Sequence, residues 1–259
     1  MQLKKILIII DETSFYHPFF FKDLYKKLVS KNYEITVGLI TKVNKKNSME
    51  KYLIRNLFKL NLKEIIILGT KKIFFLFSKN ILNKINVFCS VKSVLLKFNI
   101  NFFEIEYDIN NKKYLDKIIK INPDLLISSC SLVFKSKLLS IPTYGCINRH
   151  SSLLPLNGGV YPVFHSIAKG EKYSGVTIHY MTKKIDDGKI LAQKIIANDE
   201  NNLSKIYKKC FTISSDLILV AIDNLTKNKF LFNKYKKTYN TFPTDKDWKE
   251  FRKNNGKFA

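Results

Sequence analysis

The chain has 259 residues, 46% of them hydrophobic, enough for one sizeable core and too apolar for a disordered polymer. Its formal charge of +24 comes almost wholly from lysine, because all but Arg55, Arg149 and Arg252 of the 45 basic residues are lysine. The longest apolar runs, such as Ile6 to Ile10, Ile65 to Leu68 and Phe74 to Phe77, fall far short of the roughly 20 residues that cross a bilayer, and no signal-peptide core follows Lys4-Lys5.

In chain order, Ile6 to Ile10 reads as a strand buried on both faces. Phe19 to Leu28 reads as a helix with Pro18 in its first turn, where a missing N–H costs nothing. Tyr33 to Ile40, rich in β-branched residues, is a second strand, and Leu53 to Phe98 is mostly helical in pattern, with breaks near Asn61, Gly69 and Asn80. Phe102 to Ile105 is a short strand. Tyr114, Leu115, Ile118 and Ile119 share one helical face that Asn122-Pro123 terminates. Asp124 to Ser128 and Tyr144 to Asn148 are further strands, and Val176 to Tyr180 and Lys189 to Ile196 are two more, joined by the polar turn Asp186-Asp187-Gly188. Leu203, Ile206, Tyr207, Cys210, Ile213, Leu217 and Val220 mark the stripe of a long amphipathic helix. Alternating strands and helices predict an α/β fold: a Rossmann-like, mostly parallel sheet with helices on both faces.

Cys89, Cys130, Cys146 and Cys210 form no CxxC pair, so reduced, buried thiols are expected, with no metal and a cytoplasmic location. The lysines are spread through the chain as pairs, as AT-rich codons would produce, and arginine, the better reader of phosphate and bases, is scarce. This disfavours a specific nucleic-acid partner.

Chemistry concentrates between Gly145 and Gly188. Asn148 and His150, two apart near the end of a predicted strand, project to the same side, toward the crevice where open α/β sheets bind ligands. Asp186 follows the strand carrying His179, with Gly188 allowing a tight reversal. A single histidine at a strand end is more often structural than catalytic, and His17 and His165 are read that way.

These residues resemble the folate-dependent formyltransferase family. The pattern Asn-x-His-x-Ser-Leu-Leu-Pro stands at Asn148 to Pro155, and Gly-Val-Thr-Ile-His followed by Asp-x-Gly stands at Gly175 to His179 and Asp186 to Gly188. The resemblance implies Asn148, His150 and Asp186 as the catalytic triad, with His179 supporting them. Ser152, Leu154, Pro155, Gly158, Gly159, Thr177 and Gly188 would border the substrates. It implies 10-formyltetrahydrofolate as formyl donor and a primary amine as acceptor. Residues 1–200 would be the catalytic domain and 201–259 a C-terminal helix and packed extension; a homodimer is compatible with it. Asn148 and His150 would donate to an oxygen that gains charge as the amine attacks, and Asp186 would favour the charged imidazole. Where the purine-pathway branch carries a glycine-rich phosphate loop, this chain reads Asp11-Glu12-Thr13-Ser14, and too few residues follow position 200 for the tRNA branch's extra domain. The expected acceptor is therefore an amino sugar carried on a nucleotide, with Asp11 accepting from its hydroxyls or an ammonium group; the alternatives are a methionyl-tRNA or glycinamide ribonucleotide formyltransferase and a non-catalytic relative that binds folate or a nucleotide.

Overall fold

The protein is described here by a computed structural model, covering residues 3–12, 16–43, 52, 54, 56–70, 73, 88, 90–232 and 235–259. The apolar run at the N-terminus forms β1 (Lys5–Asp11), followed by α1 (His17–Val29) and β2 (Glu34–Lys42). After a 3-10 turn at Leu57–Lys59 and a helical stretch at 62–70 come α2 (Val91–Lys97), β3 (Phe102–Glu106) and α3 (Lys112–Ile121). Next are β4 (Leu125–Ser129), α4 (Ser136–Leu139), β5 (Cys146–His150), the two-residue β6 (Gly158–Gly159) and α5 (Pro162–Ala168). The antiparallel pair β7 (Tyr173–Tyr180) and β8 (Ile190–Ala197) leads into α6 (Leu203–Thr226), β9 (Tyr239–Asn240) and α7 (Asp245–Lys253).

Seven strands lie in the order β3-β2-β1-β4-β5-β7-β8. The first five are parallel, and β7 and β8 run against them. Strand order reverses between β1 and β4, which puts a crevice beyond their carboxyl ends, beside the end of β5. Helices cover both faces because β1 is apolar on both. Ile6, Ile8 and Ile10 pack with Phe21 and Leu24 of α1, Val94 of α2 and Ile218 of α6, while Leu7 and Ile9 pack with Leu115 and Ile118 of α3 and Leu138 of α4.

Several sequence expectations shift in detail. β5 begins two residues later than read and extends to His150, so Asn148 lies inside the strand, paired to Ser128 of β4. In α3 the buried residues are Tyr114, Leu115 and Ile118, whereas Ile119 faces solvent. On α6, Tyr207, Ile213 and Leu217 pack against the core as expected and Val220 is half exposed, while Ser214 and Ile218 join the buried face, Ser214 accepting from the buried Arg149 of β5. The helical reading of Leu53 to Phe98 is met at 62–70 and 91–97; Cys89 and residues 74–87 within it lie outside the described residues. Cys130, Cys146 and Cys210 are free thiols. No helix among the described residues is long and apolar enough to cross a membrane.

Candidate functional site

The site is built where the last residues of β5 meet β7. Their antiparallel register sets Asn148 opposite His179 and His150 opposite Thr177, so all four belong to one sheet junction. The turn after β7 then brings Asp186 back, with its backbone in the left-handed region at φ 52°. Gly188 makes that return possible: a Cβ there would collide with the Tyr180 carbonyl.

The protons can be assigned from the acceptors. His179 Nδ1 lies 2.8 Å from the carbonyl oxygen of Tyr180, which only accepts, so Nδ1 carries the hydrogen. Burial, opposed by the Asp186 carboxylate, pulls the pKa of His179 down to about 4, so its ring is neutral near pH 7. Its Nε2 is therefore an acceptor, and the Asn148 group 3.3 Å away must be the NH2 rather than the oxygen. His179 in this way fixes the orientation of the Asn148 amide and leaves its second N–H for another acceptor.

His150 is held differently. Its Nε2 donates to the carbonyl oxygen of Asn157 at 3.2 Å, which leaves Nδ1 turned toward Asp186 Oδ1 at 3.7 Å. Asp186 Oδ2 accepts from the Gly159 N–H at 2.7 Å, while Oδ1 stands between the two imidazoles, 3.6 Å from His179. Both separations exceed a hydrogen bond, so Asp186 acts here through its charge. The adjacent Asp187 is turned away and pairs with Lys237 at 2.6 Å.

The remaining motif residues shape the wall of this crevice. The Thr177 hydroxyl donates to the Ser152 carbonyl at 2.6 Å and accepts from the Leu154 N–H at 3.1 Å. Ser152 Oγ donates to the Leu156 carbonyl at 2.8 Å, and the Pro155 carbonyl accepts from the Thr238 N–H at 3.0 Å. Ser152, Leu154 and Thr177 are buried, so their polar groups hold the loop from within. Gly158 and Gly159 pair with Tyr239 and Asn240, and a Cβ on Gly159, whose φ is 89°, would strike the Asn240 carbonyl.

Sequence reading missed two of the groups that hold this arrangement. Asn157, buried and at φ 52°, presents the carbonyl that orients His150; its side chain meets Glu171 at 2.7 Å, Lys169 at 2.6 Å and Asn240 at 3.0 Å. Its place in an Asn-Gly-Gly turn was the available signal. Gln193 of β8 donates to the Leu154 carbonyl and to Thr177 Oγ1, a role visible only once the β7–β8 register is known. Asp11 departs from expectation. It is buried, with Oδ2 accepting from the Ser131 N–H at 3.0 Å, and burial pushes its pKa up to about 7, so it faces the β4 turn rather than a sugar. Among histidines read as structural, His165 bonds the Thr241 carbonyl and His17 bonds Ser129 Oγ.

Chemically, the crevice offers one neutral amide N–H, one imidazole nitrogen without a hydrogen-bond partner among the described residues, and a nearby carboxylate. That set suits an uncharged carbonyl on which charge builds, attacked by a group that must lose a proton. No cluster of metal-ligating side chains occurs among the described residues.

A profile of the formyl transferase family matches residues 71–222. The bifunctional polymyxin resistance protein ArnA of Wigglesworthia glossinidia brevipalpis is 40% identical over 144 residues, 55% of this chain and 22% of that protein. Methionyl-tRNA formyltransferase of Ehrlichia canis is 38% identical over 112 residues, 42% of this chain and 37% of the relative. The chain thus spans less than half the length of these curated relatives. Among solved structures, a sugar N-formyltransferase from Shewanella sp. superposes with a TM-score of 0.59 at 19% identity, over 98% of this chain and 88% of that one. Glycinamide ribonucleotide transformylase 1 from Symbiobacterium toebii gives a TM-score of 0.59 at 11% identity, over 90% and 92%. These two likenesses show a common fold.

Proposed function

The chain belongs to the formyl transferase family, and from that premise we propose that it moves a formyl group from 10-formyltetrahydrofolate to a primary amine, the amine being that of an amino sugar carried on a nucleotide. The observation that carries the reaction is the free Nδ1 of His150, aimed toward Asp186 beside the amide N–H of Asn148. The donor set fits a formyl donor, which when bound supplies an activated formyl carbon. Asn148, oriented by His179, donates to the formyl oxygen as charge develops there. His150 Nδ1 takes the proton that the attacking amine must lose and, as the formyl carbon parts from the donor's nitrogen, returns it to that nitrogen, so that a new amide and tetrahydrofolate are the products. Asp186 stabilises the imidazolium so formed, and the Asn157 carbonyl keeps the ring from turning.

The sugar reading rests on what surrounds the site. Where a phosphate cradle would need backbone N–H groups and glycine, β1 ends in the carboxyl of Asp11, with Glu12 directly after it. The likeness to the sugar N-formyltransferase from Shewanella sp., over 98% of this chain, supports the same reading.

Incubation with 10-formyltetrahydrofolate and separate acceptors, namely amino-sugar nucleotides, glycinamide ribonucleotide and methionyl-tRNA, with release of tetrahydrofolate as readout, tests both levels. Turnover with an amino-sugar nucleotide alone is expected. Turnover with glycinamide ribonucleotide or methionyl-tRNA instead overturns the acceptor and keeps the reaction, and none with any primary amine overturns the reaction.

A further inference from the structure

The described residues between Tyr52 and Ile73 turn apolar side chains to solvent and a carboxylate inward. Asn61 and Glu64 cap residues 62–70 reciprocally, Asn61 Oδ1 accepting from the Glu64 N–H at 2.9 Å and Glu64 Oε2 from the Asn61 N–H at 3.0 Å. The inward face repeats every four residues through Leu60, Glu64 and Leu68. At its centre is a carboxylate, clamped by Arg252 of α7 at 2.8 and 2.6 Å and by the Phe258 N–H at 2.6 Å. The outward face carries the large apolar residues. Ile54 is 61% exposed, Phe58 79%, Leu62 73% and Ile66 55%, with Ile65 and Ile73 also open to solvent. Single exposed apolar side chains are ordinary, but seven among the described residues from 54 to 73, Leu57 being the seventh, make a surface that water disfavours.

Charge decides what fits it. Lys63 stands exposed beside them, and the Lys59–Asp245 and Arg252–Glu64 pairs tie α7 to this segment. On α7 the exposed Lys246, Lys249 and Lys253 outweigh its other carboxylates, Asp247 and Glu250, the latter meeting Lys253 at 3.9 Å. A second copy would bring these lysines against their equivalents and add its own net charge of +24. An anionic lipid surface meets both properties at once, accepting aliphatic and phenyl groups at the acyl boundary and attracting the lysines around them. We propose that Phe58, Leu62 and Ile66 seat the protein on anionic membrane, their side chains entering the interface.

The test is flotation of the purified full chain with vesicles of phosphatidylcholine alone, or with about one-third phosphatidylserine. The expected result is flotation with the anionic vesicles only, persisting near physiological salt. F58S/L62S/I66S should weaken that binding by roughly tenfold or more while leaving the melting temperature unchanged. F58D alone, at a side chain with little to lose in the fold, should weaken it in the same direction. Absence of flotation with anionic vesicles, or equal flotation of wild type and both variants, overturns the proposal. So does a concentration-dependent dimer in light scattering that the triple variant abolishes while vesicle binding is nil, which would make the patch an interface between copies.

Discussion

Asn148 and His150 lie two apart on one strand, yet the structure gives them different partners and therefore different work. His179 accepts from Asn148 and donates to the Tyr180 carbonyl, so replacing His179 by Phe keeps a buried ring and removes both the acceptor that orients the amide and that anchor. Turnover of His179→Phe should fall by about one order of magnitude with little change in the acceptor's Michaelis constant, whereas His150→Ala and Asn148→Ala should each lose about two orders or more. Steady-state kinetics on folded variants checks this, and a His150→Ala enzyme near wild-type turnover would remove that ring from the chemistry. Asp11 provides a separate test, in stability. Its folded pKa of about 7 lies above the ordinary value of 3.8, so the folded state holds a proton that the unfolded chain has lost. This contribution is complete below pH 3.8 and is lost as pH rises through 7. Asp11→Asn removes the titration, so its stability relative to wild type should improve by about 2 to 3 kcal/mol between pH 5 and pH 8. Denaturant melts at the two pH values measure it; an unchanged difference would show that the carboxyl is hydrated. The sequence motif named Asn148, His150, His179 and Asp186 because catalytic groups at a sheet junction need fixed spacing. It could not name the Asn157 carbonyl, since a backbone group has no sequence signature of its own.

Among the elements, β1 and α1 were legible because a continuous apolar run and a Pro-initiated amphipathic helix each admit one reading. The outward turn of Val220 on α6 was not legible, because the stripe there follows Ser214, which answers the buried guanidinium of Arg149 at 2.9 Å. That guanidinium also lies 3.8 Å from the Phe211 ring centroid, so a cation on β5 sets the rotation of a helix distant in sequence. Nor could composition show that the tail is part of the site. Thr238 and Asn240 bond along residues 155–160, from the Thr238 N–H to the Pro155 carbonyl through to the Val160 N–H and the Asn240 carbonyl. Gly159 is the closest approach between the two segments. Gly159→Ala would force the Asn240 carbonyl away and would strain a backbone at φ 89°. The variant should lose about 1 to 3 kcal/mol of stability and, because the Gly159 N–H holds Asp186, lose turnover as well. Measuring both separates the effects: full turnover in a destabilised variant would show that Asp186 needs no anchor.

For the molecule as a whole, the net charge of +24 poses the question of partners that the fold leaves open. Lysines pair with carboxylates on many separate elements, as Lys4 with Glu34, Lys42 with Glu106, Lys112 with Asp116 and Lys227 with Asp223, so the positive field is broad. Both described arginines are committed inward. Arg149 is buried against Ser214 and Phe211, and Arg252 clamps Glu64, so neither offers a free fork to a guanine edge or a phosphate. A surface of dispersed lysines, with no arginine available among the described residues, attracts polyanions through counterion release and is poorly suited to reading bases. Filter binding should therefore show RNA association that falls by two or more orders of magnitude between about 50 mM and about 200 mM salt. Initiator tRNA, elongator tRNA and an unrelated RNA of equal length should be held equally at every salt concentration. A preference for initiator tRNA of about tenfold or more that survives at the higher salt would mean that lysines and backbone groups build a specific surface, and would turn the acceptor assignment from a sugar amine to an aminoacyl-tRNA.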